Sequence, residues 1–161
     1  MLVLHKLESD YQELNGSEKT AALAQKNTAM AIPRVLLADD REEVLQALLE
    51  LLAGEFQIVG TAEDGIRVLD RAGNLAPDVV VLDIEMPVVN GIEAATRLRE
   101  KCPSARVVML TVHKDADFVE AAISAGALGY VIKSSLATDL IPAIRKAFIG
   151  ETFVSPSIDL E

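Results

Sequence analysis

The chain has 161 residues, half of them hydrophobic but only 4% aromatic, with 25 acidic against 15 basic side chains and a net charge of −10. Its length fits one domain with an aliphatic core of Val, Leu, Ile and Ala, as in a buried parallel sheet covered by helices. The charge repels phosphate backbones and anionic lipid surfaces, which argues against direct nucleic-acid binding or membrane docking by this chain.

Residues 1–32 stand apart as an N-terminal extension. Leu4, Leu7, Tyr11 and Leu14 recur at helical spacing, and Asn15-Gly16-Ser17 would end the helix they line. The segment reads either as a mobile tail or as a short helix that docks on the domain or a partner. Met1-Leu2-Val3-Leu4-His5 lacks the long apolar stretch of a signal peptide, and no run of the chain is long enough to span a bilayer.

From Arg34 the pattern becomes regular. Val35-Leu36-Leu37-Ala38 predicts a first strand, followed by a helix from Glu42 to Ala53 that stops at Gly54. Gln57 to Thr61 predicts a second strand, and Asp64 to Ala72 a helix stopped by Gly73-Asn74. Val79 to Leu82 is the third strand, Gly91 to Cys102 the third helix and Arg106 to Thr111 the fourth strand. Ala116 to Ala125 is the fourth helix, Gly129 to Ile132 the fifth strand, and Thr138 to Ile149 the last helix, with Pro142 in or just beyond its first turn. The lone cysteine, Cys102, excludes an intramolecular disulfide and fits a reducing, cytoplasmic setting.

Strands alternating with helices predict an α/β fold with a parallel sheet and right-handed crossovers. With this element count the expected architecture is a flavodoxin-like (βα)5 three-layer sandwich, sheet order 2-1-3-4-5. Ligands bind such folds beyond the carboxyl ends of strands 1 and 3, at the switch point. The expected division is residues 1–32 as the extension, 33–150 as the domain, and 151–161 as a tail or the start of a linker.

The residues beyond each strand end then carry the chemistry. Strand 1 delivers Asp39 and Asp40, strand 3 Asp83, strand 4 Thr111 and strand 5 Lys133. Each has an ordinary explanation. Asp40 with Glu43 reads as a helix capping box, Asp83 as a turn residue, Thr111 as a β-former and Lys133 as a surface lysine. His113, at the same rim, reads as a bystander. Together, three crowded carboxylates demand a raised pKa or a bound cation. Hard oxygen donors favour Mg2+, which takes phosphate as a co-ligand. A hydroxyl and an ammonium opposite complete a phosphate cradle. In it, Asp83 can attack phosphorus as a carboxylate nucleophile.

At this point the chain from Arg34 to about Pro156 resembles the receiver domain of two-component response regulators. The motifs are Val35-Leu36-Leu37-Ala38-Asp39-Asp40, Leu82-Asp83-Ile84-Glu85-Met86-Pro87, Met109-Leu110-Thr111 and Gly129-Tyr130-Val131-Ile132-Lys133. The resemblance implies Asp83 as phosphoacceptor. It implies Asp40, Asp83 and the Glu85 backbone carbonyl as Mg2+ ligands, with Asp39 acting through a bound water. Thr111 would be the switch hydroxyl, Lys133 the phosphate-pairing lysine, and Tyr130 the switch aromatic that turns inward as Thr111 moves. It implies a signalling domain that assists its own phosphorylation and dephosphorylation, not an enzyme with a separate substrate. Two features depart from the pattern. Ser134 follows Lys133 where many receivers have proline, and without proline a cis bond there would cost about 3 kcal/mol. Gly150-Glu151-Thr152-Phe153-Val154-Ser155-Pro156 resembles LuxR-type regulators, which continue into a helix-turn-helix domain.

The expected partner is a histidine kinase or histidine phosphotransfer protein, and the expected output face is the fourth helix, fifth strand and fifth helix. That face is one candidate contact for a homodimer. Apolar surplus on the first and fifth helices, including Leu45, Leu49, Ile141 and Phe148, offers another. Two further readings are a Mg2+-dependent phosphohydrolase with an aspartyl nucleophile, and the truncated receiver of a DNA-binding transcriptional regulator.

Overall fold

The computed structural model describes residues 15–19, 31–158 and 160. The chain divides into two compact units, Met1–Ala31 and Ile32–Glu161. The stripe Leu4, Leu7, Tyr11 and Leu14 lies outside the described residues. In the first unit, Asn15 begins a helical turn over 16–19. Its side chain accepts from Glu18 N at 2.9 Å, while the Glu18 carboxylate accepts from Asn15 N at 3.0 Å. Two orphan amides are thereby satisfied reciprocally, as in a capping box.

The second unit is a parallel sheet of six strands in the order β2-β1-β3-β4-β5-β6. The strands are β1 (Arg34–Ala38), β2 (Gln57–Ala62), β3 (Val79–Asp83), β4 (Arg106–Thr111), β5 (Gly129–Ile132) and β6 (Phe153–Val154). The helices are α1 (Glu42–Leu52), α2 (Gly65–Leu75), α3 (Gly91–Lys101), α4 (Ala116–Ser124) and α5 (Leu136–Phe148). The first five strands keep the expected order. The continuous apolar runs of β1, β3, β4 and β5 follow from burial on both faces. Alternate side chains feed two cores. Leu36, Val80, Leu82, Met109 and Ile132 face α2, α3 and α4. Val35, Leu37, Val81, Leu110 and Val131 face α1 and α5. α1 reaches its core through Leu45, Leu48 and Leu52, which recur at three and four residues along one face.

Three elements differ from expectation. α2 runs through Gly73 and Asn74 to Leu75 and stops at Ala76, whose φ is 47°. Leu75 packs against the core beyond them. That burial offsets the roughly 1 kcal/mol that a helical glycine costs. α5 starts earlier than expected because a 3-10 turn, Lys133–Ser135, feeds directly into it, so Pro142 falls inside the helix. Pro142 and Thr138 are both exposed, so the hydrogen bond lost there is on the solvent side.

The third difference is β6, a sixth strand in the segment expected to be a tail or the start of a linker. Phe153 N donates to Leu128 O and Ser155 N to Tyr130 O, each at 2.9 Å. Ser155 Oγ accepts from Ile132 N at 3.0 Å. Ser155 is fully buried, and Ile158 beyond it is buried. A two-residue strand is too short to show a period in sequence. Its place is set by the open edge of β5, whose amides and carbonyls need partners once buried. Ser155→Ala removes the acceptor of a buried amide. It is expected to cost about 1–3 kcal/mol in urea unfolding and to speed hydrogen exchange at Ile132 selectively. Unchanged exchange there would show that the hydroxyl contributes nothing.

Candidate functional site

Strand register brings the site together. Ala38 lies beside Leu82, so the next residues, Asp39 and Asp83, are neighbours at the strand ends. Asp83 lies beside Leu110, one residue before Thr111. Thr111 lies beside Ile132, one residue before Lys133. Gly91, at the start of α3, lets that helix approach closely, because a Cβ there would collide with the Asp83 carbonyl.

Asp39, Asp40 and Asp83 offer carboxylate oxygens that all lie within 4.8 Å of one another. Lys133 Nζ lies 2.9 Å from Asp39 Oδ2 and 3.2 Å from Asp83 Oδ2. Asp39 and Asp83 are buried, Asp40 is exposed. Asp39 Oδ1 also accepts from Arg41 N at 2.9 Å, and Asp83 Oδ1 from Glu85 N at 3.2 Å. The capping box at Asp40 does not form. Arg41 is the N-cap of α1 and makes no side-chain cap bond, and Glu43 pairs with Arg41 instead. The physical reason is that Asp39 takes the Arg41 amide in a two-residue turn, which leaves the Asp40 carboxylate facing solvent at the mouth.

Three carboxylates beside one ammonium leave an excess of negative charge. Burial and the Asp39 charge push Asp83 from 3.8 up to about 6, against the pull of Lys133 and the Glu85 amide. Burial alone would lower Lys133, but the Asp39 hydrogen bond and the charges of both aspartates raise it overall. Two buried oxygen donors and one exposed donor, with uncompensated charge, suit a small hard dication.

Thr111 is buried, and its Oγ1 accepts from His113 N at 3.0 Å. Tyr130 is already inside, 1% exposed, with its OH donating to His113 O at 2.9 Å. Tyr130 therefore occupies an inward position in this structure. Burial raises the Tyr130 phenol, while a Thr111 hydrogen bond acts in the opposite sense. There is no cis peptide among the described residues, so Lys133–Ser134 is trans.

Sequence reasoning read His113 as a bystander at the rim and passed over Phe118. His113 Nε2 meets Glu85 Oε1 at 2.5 Å, and its ring stacks on Phe118 with centroids 4.0 Å apart and planes 6° from parallel. The only available signal was positional. Glu85 and His113 each lie two residues past an end residue of the adjacent strands β3 and β4.

An open parallel sheet with a carboxylate triad and a lysine at its switch point defines a receiver-type α/β signalling domain. A family model described as "Response regulator receiver domain" matches residues 35–145, and the chain belongs to that family. It is 37% identical over 127 residues to the response regulator GacA of Pseudomonas viridiflava, covering 78% of this chain and 59% of the relative. It is 34% identical over 126 residues to the nitrate/nitrite response regulator protein NarL of Escherichia coli K12, covering 77% and 58%. The chain thus spans about three fifths of the length of these curated relatives. Among solved structures, a LuxR-family two-component response regulator from Aurantimonas sp. SI85-9A1 superposes with TM-score 0.76 at 32% identity, covering 80% of this chain and 93% of that one. The protein is a receiver domain of two-component response regulators, and none of its described helices is long and apolar enough to cross a membrane.

The raised Asp83 pKa fixes a sign. The folded state holds this proton more tightly than the unfolded chain, so its ionisation removes stability as pH rises from about 4 to about 6. Without divalent cations, Asp83→Asn is expected to stabilise the fold by about 1–3 kcal/mol above pH 6 and to make little difference below pH 4. Urea unfolding across that range checks it, and a gain that did not vary with pH would contradict it.

Proposed function

We propose that Asp83 accepts a phosphoryl group from a phosphohistidine on a histidine kinase or phosphotransfer protein. The observation that carries this is the pairing of Asp83 Oδ2 with Lys133 inside the carboxylate cluster. With its pKa near 6, Asp83 is mostly ionised at neutral pH and ready to attack. A carboxylate oxygen of Asp83 forms the new O–P bond as the N–P bond of the donor breaks. The released electron pair stays on the imidazole nitrogen, which takes up a proton.

Asp40, Asp83 and the Glu85 carbonyl would hold Mg2+, with Asp39 acting through a bound water. The ion would supply neutralisation of charge on the transferring group. Lys133 would exchange a carboxylate oxygen for a phosphoryl oxygen, and the Thr111 hydroxyl would donate to another. Phosphorylation adds charge that biases α4, β5 and α5, the face through which the state is read. The domain assists both its own phosphorylation and its own dephosphorylation, and works in the cytoplasm with the kinase.

The phosphohydrolase alternative would need the acid at Glu85 to serve the reacting group. Glu85 instead pairs with His113, and only residues 84–90 separate β3 from α3, leaving no room for a cap. A transcriptional output suits the relatives, one of which is named as a transcriptional regulatory protein in Bacillus subtilis. The net charge of −10 argues against DNA contact by this chain. For a homodimer, β6 covers the outer edge of β5, which favours α1 and α5 as the contact. Sedimentation of the phosphorylated protein tests this. Phe148→Glu is expected to return a dimer to monomer, and a monomer at all concentrations would remove the idea.

Acetyl phosphate with Mg2+ is expected to give a phosphate adduct in intact mass. Asp83→Asn or EDTA should abolish it, and Lys133→Ala should slow it by about tenfold or more. An adduct on Asp83→Asn would move the acceptor elsewhere.

A further inference from the structure

We propose that His113 is a positioning residue, a clamp that holds Tyr130 inward and Thr111 aligned before any phosphoryl group arrives. Four contacts converge on this one residue. Its amide donates to Thr111 Oγ1, and its carbonyl accepts from the Tyr130 hydroxyl. Its ring is fixed from both sides, by the Glu85 carboxylate across the mouth and by Phe118 stacked beneath. The two main-chain contacts place Thr111 and Tyr130, and the two side-chain contacts hold the main chain still.

The clamp joins three segments. Glu85 lies in the loop after β3, His113 in the loop after β4, and Phe118 in the first turn of α4. A loop between a strand end and a helix otherwise has many backbone conformations of similar energy. Pinning one residue by a hydrogen bond and a stacked ring narrows that set. The Tyr130 hydroxyl then donates to His113 O, and that bond would be lost inside the core if His113 O moved away. The face made by α4, β5 and α5 is therefore preset with its tyrosine buried. Phosphorylation at Asp83 acts on a population already biased to that state.

The clamp stands on its own geometry, and only its consequence for Asp83 rests on the phosphoacceptor reading. The chain has two tyrosines. Fluorotyrosine incorporated in a Tyr11→Phe background reports Tyr130 alone by 19F NMR. The parent is expected to show one solvent-shielded resonance. Phe118→Ala and Glu85→Ala should each raise the solvent-exposed population by about fivefold or more, the weight of one lost hydrogen bond or ring contact. Glu85→Gln, which keeps an acceptor for His113, and Phe118→Trp, which keeps an aromatic ring without adding a tyrosine, should restore the parent spectrum. This rescue separates positioning from general loss of stability. A shielded resonance in every variant would overturn the clamp, because core packing alone would then hold Tyr130. An exposed resonance in the parent would overturn it as well. Beryllofluoride with Mg2+ should return the alanine variants to the shielded state. If it fails to do so while the variants still open, the phosphoacceptor reading falls and the clamp remains.

Discussion

The structure depends on an electrostatic imbalance that the sheet is forced to hold. Asp39 and Asp83 are buried side by side at adjacent strand ends, and one ammonium, Lys133, sits against both. Burying like charges is costly, and a single counter-ion does not cancel the cost. The strain appears as a raised Asp83 pKa. Asp40 completes the cluster from the exposed side, free of any capping duty, so the mouth is open to a cation and to a donor.

The surrounding fold makes that imbalance tolerable. The buried interiors of β1, β3, β4 and β5 and two aliphatic cores supply the stability that a charged cluster removes. The parallel register places each functional residue one step beyond its strand, so no loop has to be folded precisely to assemble them. Gly91 lets α3 begin against the Asp83 carbonyl, where any larger residue would push helix and strand apart. β6 extends the same sheet and ties the segment after α5 to the backbone of Tyr130 and Ile132, beside Lys133. The site thus has a rigid floor, and a rim that is held chiefly by side chains.

Much of this was legible in residue order. The apolar runs ending in Asp39, Asp83 and Thr111 announced buried strands with polar ends, and the alternation with helices restricted the sheet order. Boundaries were less legible. Gly73-Asn74 carries a helix stop locally, but Leu75 finds a core that only the folded sheet provides. Pro142 reads as a first-turn residue, yet the preceding 3-10 turn moves the start of α5 upstream. Phe153-Val154 carries no period of its own, and it became a strand because β5 offered an edge.

The sequence by itself determined the alternating fold, the two helix-covered faces and the chemistry available at the strand ends, because burial periodicity and residue type are local properties. Tertiary structure decided which of those groups meet. Lys133 reaches Asp39 across 94 positions of chain. His113 meets Glu85 across 28 and Tyr130 across 17. Such contacts follow from strand register and loop path, which no short window of sequence encodes. That is why Asp83 could be singled out from its own strand, while the release of Asp40 from capping, the inward Tyr130 and the junction at His113 emerged only from the folded chain.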